Sequence, residues 1–338
     1  MKVLLTGANG FVGSHLLDRL IGQAIPTVVL LRRTANRRLI APQLSQVGVR
    51  LGSVTEPATL APALEGVTHV IHCAARTKAL RVSEFYETNE AGTHHLVEEV
   101  NRASPAIQRL ILVSSLAAAG PATAAAPACE DDPPMPVSDY GRSKLAGEQV
   151  VRRESRVPFV ILRPPGVYGP RDADFLQLFK AVRAHVRPQF DGGRQPLSLV
   201  YVEDLATLTI AALEHPAATG QTFNVAASEV VTAGGLARAI AEAMRTWTVP
   251  LPLPSWGLWP ICVAQEAWSR LRGRPAILSR QKYREARARG WVCDVRKLRD
   301  ELGFECRTTA REGMARTLAW YREQGWLSRA VWNPDLKR

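Results

Sequence analysis

Cysteine is scarce in this 338-residue sequence and follows no recognisable pattern. The five cysteines include no C-x-x-C pair, and no histidine lies at zinc-ligand spacing from them. This excludes a zinc knuckle and a disulfide framework as organising features. The usage fits a reducing compartment, so we expect a cytoplasmic protein without a metal site.

Long apolar runs are also lacking. The N-terminal run ends at Gly7, which is too short for the apolar core of a signal peptide. A later apolar region, 249–264, is interrupted by four prolines and offers no continuous span of about 18 residues. The sequence therefore predicts neither a signal peptide nor a transmembrane helix.

Acidic residues are outnumbered: 31 Asp plus Glu face 43 Lys plus Arg, for a formal net charge of +12. Such an excess is typical of nucleic-acid-binding proteins, but only seven of the basic residues are lysine, and the arginines are scattered without forming a basic tail. The 46% hydrophobic content is that of a globular protein. We expect no nucleic-acid partner, and the length predicts two domains.

Short apolar runs alternate with helical stretches along the first half of the chain. Strands are predicted at 2–6, 27–31, 67–71, 110–113 and 159–162, and helices at 11–21, 90–102 and 140–154. Runs without strict alternation indicate strands buried on both faces of a parallel sheet. The sequence therefore predicts an α/β fold with a doubly wound sheet, followed by a smaller, mostly helical unit.

A glycine-rich turn follows the first strand and opens the first helix. Gly7, Gly10 and Gly13 are spaced as G-x-x-G-x-x-G. Glycines in this position let the backbone approach a pyrophosphate, and the helix N-terminus supplies free N–H donors. The motif predicts a dinucleotide site; the alternative is a purely structural turn.

The second strand ends in two arginines where an acidic residue would bind the ribose 2′-hydroxyl of NAD. The guanidinium groups of Arg32 and Arg33 suit a 2′-phosphate instead. We therefore favour NADP over NAD as the cofactor. Because Arg37 and Arg38 follow closely, a solvated arginine-rich loop is the alternative.

Tyr140 and Lys144 stand at i and i+4 of a predicted helix, about 25 positions after Ser115. A free tyrosine has a pKa of about 10 and is a poor base at neutral pH. A nearby ammonium group favours the phenolate, so Lys144 is expected to lower the pKa of Tyr140. Tyr140 would then exchange a proton with a secondary alcohol or ketone, while Ser115 holds the substrate oxygen.

With these motifs the chain resembles the extended short-chain dehydrogenase/reductases of the NAD-dependent epimerase/dehydratase superfamily, in particular the 3-beta-hydroxysteroid dehydrogenase-like members. The resemblance includes H-C-A-A at 72–75, T-N-E-A-G-T at 88–93, L-R-P-P-G-V-Y-G-P at 162–170 and Y-V-E-D-L at 201–205. It implies a Rossmann-type cofactor domain, hydride transfer at nicotinamide, a homodimer and the catalytic set Ser115, Tyr140 and Lys144. The cofactor-binding residues that it implies are Gly7, Asn9, Gly10, Phe11, Val12, Gly13, Arg32, Arg33, Ser53, Val54, Cys73, Ala74, Ala75, Thr88, Ser114, Tyr140, Lys144, Pro165 and Val167.

The resemblance also implies a division of the chain. Residues 1–170, with 196–226 returning to them, are assigned to the NAD(P)-binding domain. Residues 171–195 and 227–338 are assigned to a substrate-binding domain.

Two departures from the family pattern concern the substrate. Nucleotide-sugar enzymes of the superfamily carry Asn where this chain has Gly166, and an Arg-Asp pair where it has Leu197 and Ser198. Because a diphosphate needs several donors, their absence favours a hydrophobic, hydroxysteroid-like alcohol or ketone. A nucleotide-sugar epimerase or dehydratase with tightly bound NAD is the alternative, and a non-catalytic cofactor-binding sensor is the third.

The C-terminal half contains two further conspicuous stretches. Residues 254–260, and then 264–271 with Trp268, are apolar and aromatic, which indicates either part of the substrate pocket or ordinary core. Residues 270–289 are basic and would meet an anionic membrane surface or an acidic substrate, unless they form a solvated helix face.

Overall fold

The computed structural model describes residues 1–273 and 280–327. Its strands are β1 (Val3–Thr6), β2 (Thr27–Leu31), β3 (Gly48–Leu51), β4 (His69–His72), β5 (Arg109–Val113), β6 (Phe159–Arg163), β7 (Gly166–Tyr168), β8 (Val186–Phe190), β9 (Pro196–Tyr201), β10 (Gln221–Asn224), β11 (Val230–Thr232) and β12 (Val249–Leu253). The first helices are α1 (Phe11–Gly22), α2 (Leu60–Leu64), α3 (Ser83–Tyr86), α4 (Gly92–Arg102), α5 (Leu116–Ala119), α6 (Asp139–Glu154) and α7 (Phe175–Arg183). The later ones are α8 (Val202–Ala211), α9 (Ala233–Met244), α10 (Ser255–Arg272), α11 (Arg280–Ala286), α12 (Arg296–Leu302) and α13 (Ala310–Glu323).

A seven-stranded parallel sheet forms the centre of the first domain. Its strand order is β3-β2-β1-β4-β5-β6-β10. Both faces are covered: Leu5 and Val29 pack in one apolar cluster with α1 and α8, while Leu4 and Val28 pack in another with α4 and α6. The predicted doubly wound, Rossmann-type α/β fold is confirmed.

The second unit surrounds a separate apolar cluster. Tyr168, Phe179, Tyr201 and Tyr321 are fully buried in it. A three-stranded sheet of β11, β9 and β7 and a two-stranded sheet of β12 and β8 accompany helices α7, α9 and α13. The unit is therefore mostly helical, with short strands that the sequence did not predict.

The chain passes between the two units more often than the predicted boundaries allow. Strand β10 pairs with β6 and α8 packs on α1, whereas β7 and β9, which the assignment gives to the cofactor domain, lie in the small sheet of the second unit. However, Leu298 of α12 and Cys306 pack in the apolar cluster of the large sheet, although 227–338 are assigned to the substrate domain. These residues belong with the sheet because α12 covers its β10 edge.

The segment after α11 joins several parts of the fold. Trp291 and Cys293 form isolated parallel bridges with Ala122 and Ala128. The backbone N–H of Trp291 also donates to the Pro196 carbonyl at 2.9 Å. The loop that follows β5 is thereby anchored to the second unit.

Candidate active site

The candidate site lies at the carboxyl edge of the large sheet. Strands β1, β4, β5 and β6 pair in parallel register and end together. The residues that follow them, from the glycine turn to the segment at 164–167, therefore meet in one crevice. Ligands of open α/β sheets bind in this position.

The glycine turn is shaped by close backbone contacts. Gly7 has φ of +75°, and a Cβ on it would lie 2.6 Å from the Ala74 nitrogen. A Cβ on Gly13 would lie 2.0 Å from the Gly7 oxygen. Helix α1 has no side-chain cap at Gly10 and no acidic residue in its first turn. Its free N–H groups therefore fit the pyrophosphate of a dinucleotide.

A chain of buried hydrogen bonds holds the loop beside this turn. The Thr6 hydroxyl accepts from the Ala74 N–H at 3.1 Å and contacts His72 Nδ1 at 2.8 Å. His72 Nε2 contacts the Thr93 hydroxyl at 3.1 Å, and burial lowers the pKa of His72 to about 3. The imidazole is therefore neutral, and its two hydrogen bonds fix the start of the loop that contains the predicted residues Cys73, Ala74 and Ala75.

Asn89 performs a similar role one turn before α4. It lies in a π-helical segment, Glu87–Ala91, and is buried beside the predicted residue Thr88. Its Oδ1 accepts from the Arg76 N–H at 2.8 Å, and its Nδ2 donates to the Ser143 hydroxyl at 2.9 Å. The sequence indicated this segment only through the resemblance, whereas the structure shows that Asn89 links it to α6.

Ser115 and Tyr140 meet at the wall of the crevice. Ser115 caps α5, its Oγ accepting from the Ala117 N–H at 3.1 Å. Tyr140 lies in the first turn of α6. The side chain of Ser138 caps this helix by accepting a hydrogen bond from the Gly141 N–H. Burial raises the pKa of Tyr140 to about 12, and its hydrogen bond with Ser115 opposes that rise. The phenol is therefore protonated at neutral pH.

Lys144 lies one turn further along α6 but does not act on Tyr140 as expected. Its ammonium group donates to the Val113 carbonyl at 2.8 Å, and burial lowers its pKa to about 8. The expected lowering of the Tyr140 pKa is wrong for this arrangement because burial outweighs the other influences on the phenol.

A buried ion pair that sequence analysis missed supports this wall. Glu148 and Arg163 are 0% and 3% exposed, with Oε2 and Nη2 2.7 Å apart. Ser114, which the resemblance places at the cofactor, donates its hydroxyl to Glu148 at 2.6 Å. Glu148 stands four residues after Lys144 on α6, and that spacing was the available signal.

The predicted residues at the outer end of the crevice lie around β2 and β3. Arg32 and Arg33 follow β2 and are exposed. Asn9 donates to the Asn36 carbonyl at 3.3 Å. Ser53 bonds to Thr55, and Val54 is buried. The structure thus places the two arginines at the carboxyl end of β2, next to the strand that precedes the glycine turn.

A cavity of about 1020 Å³ extends from Tyr140 to the second unit. Its apolar lining includes Phe11, Leu80, Phe85, Leu116, Pro165, Val167, Phe175, Leu197, Leu199, Trp259 and Trp291. Five acidic residues (Asp139, Asp172, Asp174, Glu266, Glu285) and five basic residues (Lys78, Arg81, Arg280, Lys282, Arg284) also line it. The two signs balance by formal count, although burial raises the pKa of Asp172 to about 7, so that this carboxyl is only partly ionised at neutral pH.

Most of these cations are already paired. Lys78 contacts Asp174, Arg81 contacts Glu84, Arg280 contacts Glu266 and Lys282 contacts Glu285. Of the predicted tryptophan stretch, Trp259 lines the cavity, whereas Trp256 and Trp268 are exposed. The stretch is therefore only partly a pocket wall, and these two tryptophans are not core.

Residues 3–226 match the family model described as "NAD dependent epimerase/dehydratase family". The chain is 28% identical to ceramide reductase of Caulobacter vibrioides, with 97% of each chain covered. It is also 28% identical to UDP-glucose 4-epimerase of Vibrio cholerae, with 94% of each covered. The crystal structure of gox2253 matches with a TM-score of 0.79 and 26% identity, covering 96% of this chain and 98% of that one.

Proposed function

Because this chain belongs to the NAD-dependent epimerase/dehydratase family of enzymes, we propose that it transfers a hydride between a nicotinamide cofactor and a hydrophobic secondary alcohol or ketone. The observation that carries the proposal is the cavity beside Tyr140, with its apolar walls and mutually paired charges. A cavity with extensive apolar walls, whose charged groups are mostly paired with one another, suits a hydrophobic small molecule.

The same cavity argues against a nucleotide-sugar substrate. A Cβ on Gly166 would lie 2.9 Å from Leu199 Cδ2, so an asparagine does not fit there without displacing that side chain. The Ser198 hydroxyl is buried and accepts from the Cys293 N–H at 3.2 Å. A diphosphate would find few free donors here. The two relatives have the same identity to this chain, 28%, so our preference between their chemistries rests on the cavity.

The protonated form of Tyr140 is the form that ketone reduction requires. With a pKa of about 12, Tyr140 holds the proton that a newly formed alkoxide needs. Ser115 would donate a hydrogen bond to the same substrate oxygen and hold it at Tyr140. A bound nicotinamide nucleotide would supply the hydride, and Lys144 would hold its ribose. The phosphates would lie at Gly7, Gly10 and Gly13.

The domain assignment separates cofactor binding from substrate binding. Residues 1–170, with 196–226, would bind the cofactor, except for β7 and β9, which would bind the substrate together with α10, α11 and the rest of the second unit. Residues 291–308 fit the first group better than the predicted second one, because Leu298 and Cys306 pack against the sheet.

The substrate class is tested by supplying reduced cofactor with a panel of long-chain ketones, steroid ketones and UDP-sugars. We expect stoichiometric loss of NADPH absorbance with a hydrophobic ketone and none with a UDP-sugar. Epimerisation of a UDP-sugar with no net change in the nucleotide would instead establish the alternative, because an epimerase regenerates its cofactor in each cycle.

Cofactor choice gives a separate prediction. The double variant Arg32→Ser, Arg33→Ser should lower kcat/KM for NADPH about tenfold to a hundredfold, because two charge-assisted hydrogen bonds to the 2′-phosphate are lost. The value for NADH should change by less than about twofold. Arg156→Ser, an exposed arginine before the amino end of β6, is the matched control. Equal losses with both cofactors would contradict a role at the 2′-phosphate.

A further inference from the structure

Helix α10 is amphipathic, but its most apolar side faces the solvent and not the protein. On its inward side Cys262 and Ser269 are buried, and Trp259, Glu266 and Ser269 line the cavity. Its outward positions are large and apolar, with exposed fractions of 74% for Trp256, 48% for Ile261, 41% for Val263, 56% for Trp268 and 82% for Leu271. A solvated helix shows the opposite pattern.

These exposed side chains share one face. At about 100° per residue, the residues from Val263 round to Ile261 cover an arc of about 160°. In angular order they are Val263, Trp256, Ala267, Pro260, Leu271, Ala264, Gly257, Trp268 and Ile261. The arc contains no charged or hydrogen-bonding side chain apart from the indole N–H groups. Trp247, Val249 and Leu251, just before α10, are also exposed.

The stretch of sequence that contains this apolar face is basic. Residues 245–290 contain nine Lys or Arg and two Glu, a net charge of +7 out of +12 for the chain. Both glutamates are paired, Glu266 with Arg280 and Glu285 with Lys282. Arg272 lies over the Trp268 ring at 4.5 Å, so one cation is directly adjacent to the apolar face. Arg287 and Arg289 are exposed on the segment after α11.

An exposed apolar face with cations nearby favours a lipid bilayer as the binding partner of α10. Tryptophan and arginine beside an apolar surface are typical of a helix that lies in a lipid interface, and basic residues are attracted to anionic headgroups. No helix in the described ranges is long and apolar enough to cross a membrane. A second copy of the chain is a poorer fit, because a two-fold contact would bring two basic surfaces together.

We propose that the apolar face of α10, together with Arg272 and the exposed Arg287 and Arg289, seats the protein on an anionic lipid bilayer. The inner side of the same helix lines the cavity through Trp259, Glu266 and Ser269. A hydrophobic ketone would thus pass from the bilayer to Tyr140 along α10. The route of entry rests on the proposed function, whereas the seating on the bilayer does not.

The test is flotation of the full chain with vesicles of phosphatidylcholine alone or with about one third phosphatidylglycerol. We expect flotation with the anionic vesicles, weakened as salt rises from about 0.1 M to about 0.5 M. The variant Trp256→Glu, Leu271→Glu should partition at least about tenfold more weakly. Val230→Glu, at an exposed valine on β11 (43%), is the control and should float like the unsubstituted chain.

Two results would overturn the seating. One is equal partitioning of the unsubstituted chain and the double variant. The other is no flotation, together with a dimer in sedimentation that the double variant dissociates. Flotation needs no turnover, so a protein that floats but reduces no ketone would support the seating and refute the proposed function. Reduction of a short, water-soluble ketone by the double variant would show that its site is intact.

Discussion

Replacing Tyr140 by phenylalanine is expected to lower kcat about a thousandfold, within the range attributed to a positioned acid. The substitution removes the hydroxyl that bonds to Ser115 and leaves the ring, which packs at 6.3 Å from Phe85. Because the ring keeps its place, the affinity for the nicotinamide nucleotide should change little. The loss should therefore appear in kcat and not in cofactor binding.

Single-turnover kinetics and fluorescence titration of the nucleotide separate these two quantities. Tyr168→Phe is the matched control: Tyr168 is buried and its hydroxyl donates to the Thr309 carbonyl at 3.3 Å, but it does not line the cavity. It should cost about 1 kcal/mol of stability and little activity. A Tyr140→Phe enzyme within about tenfold of the original kcat would exclude Tyr140 as the proton donor.

Glu148→Gln is expected to lower the free energy of unfolding by about 3 kcal/mol, because it leaves the Arg163 guanidinium buried without a counter-charge. Arg163 is 3% exposed, so water cannot replace the lost partner. Glu148 also accepts from Ser114 and connects α6 with β6. The substitution therefore loosens the helix that presents Tyr140 and Lys144.

Urea unfolding followed by circular dichroism measures this effect. Glu154→Gln is the matched control on the same helix, since Glu154 is 34% exposed and pairs with His94 at the surface. We expect that control to cost less than about 1 kcal/mol. A similar small loss in Glu148→Gln would mean that the buried pair contributes no more than a surface one.

Much of the sheet could be predicted because buried parallel strands are short apolar runs. Strand β2 lies at the predicted 27–31, and α1 and α6 begin within one residue of their predicted starts. Strand β3 was missed because it is an edge strand, with three of its four residues exposed. Strand β12 was missed because its two prolines are typical of a loop.

The site was predictable where its residues are close in sequence. The glycine turn and the Tyr140–Lys144 spacing are local patterns, and the structure places both at the same crevice. The pairs Glu148–Arg163 and Thr6–His72 join residues 15 and 66 positions apart, which no local pattern indicates. The position of Lys144 on the Val113 carbonyl likewise depends on how α6 packs against β5.

The orientation of α10 shows a different limit. Its composition is that of a core or pocket helix, so the sequence left both interpretations open. Only the burial of Cys262 and Ser269 and the exposure of Trp256 and Leu271 show that the apolar side faces outward. A hydrophobic pattern identifies an amphipathic helix but does not say which side meets the protein.

Residues 250–290 are held at both ends by main-chain hydrogen bonds, which bears on how such enzymes can change their substrate. Val249 donates to the His185 carbonyl at 2.8 Å where the segment begins, and Trp291 donates to Pro196 where it ends. Both anchors are main-chain bonds to β-strand neighbours and depend little on side-chain identity. The cavity-lining residues of α10 and α11 therefore lie between two fixed points of the chain. A relative's segment could be exchanged between these points, changing the accepted substrate without altering Tyr140 or the glycine turn.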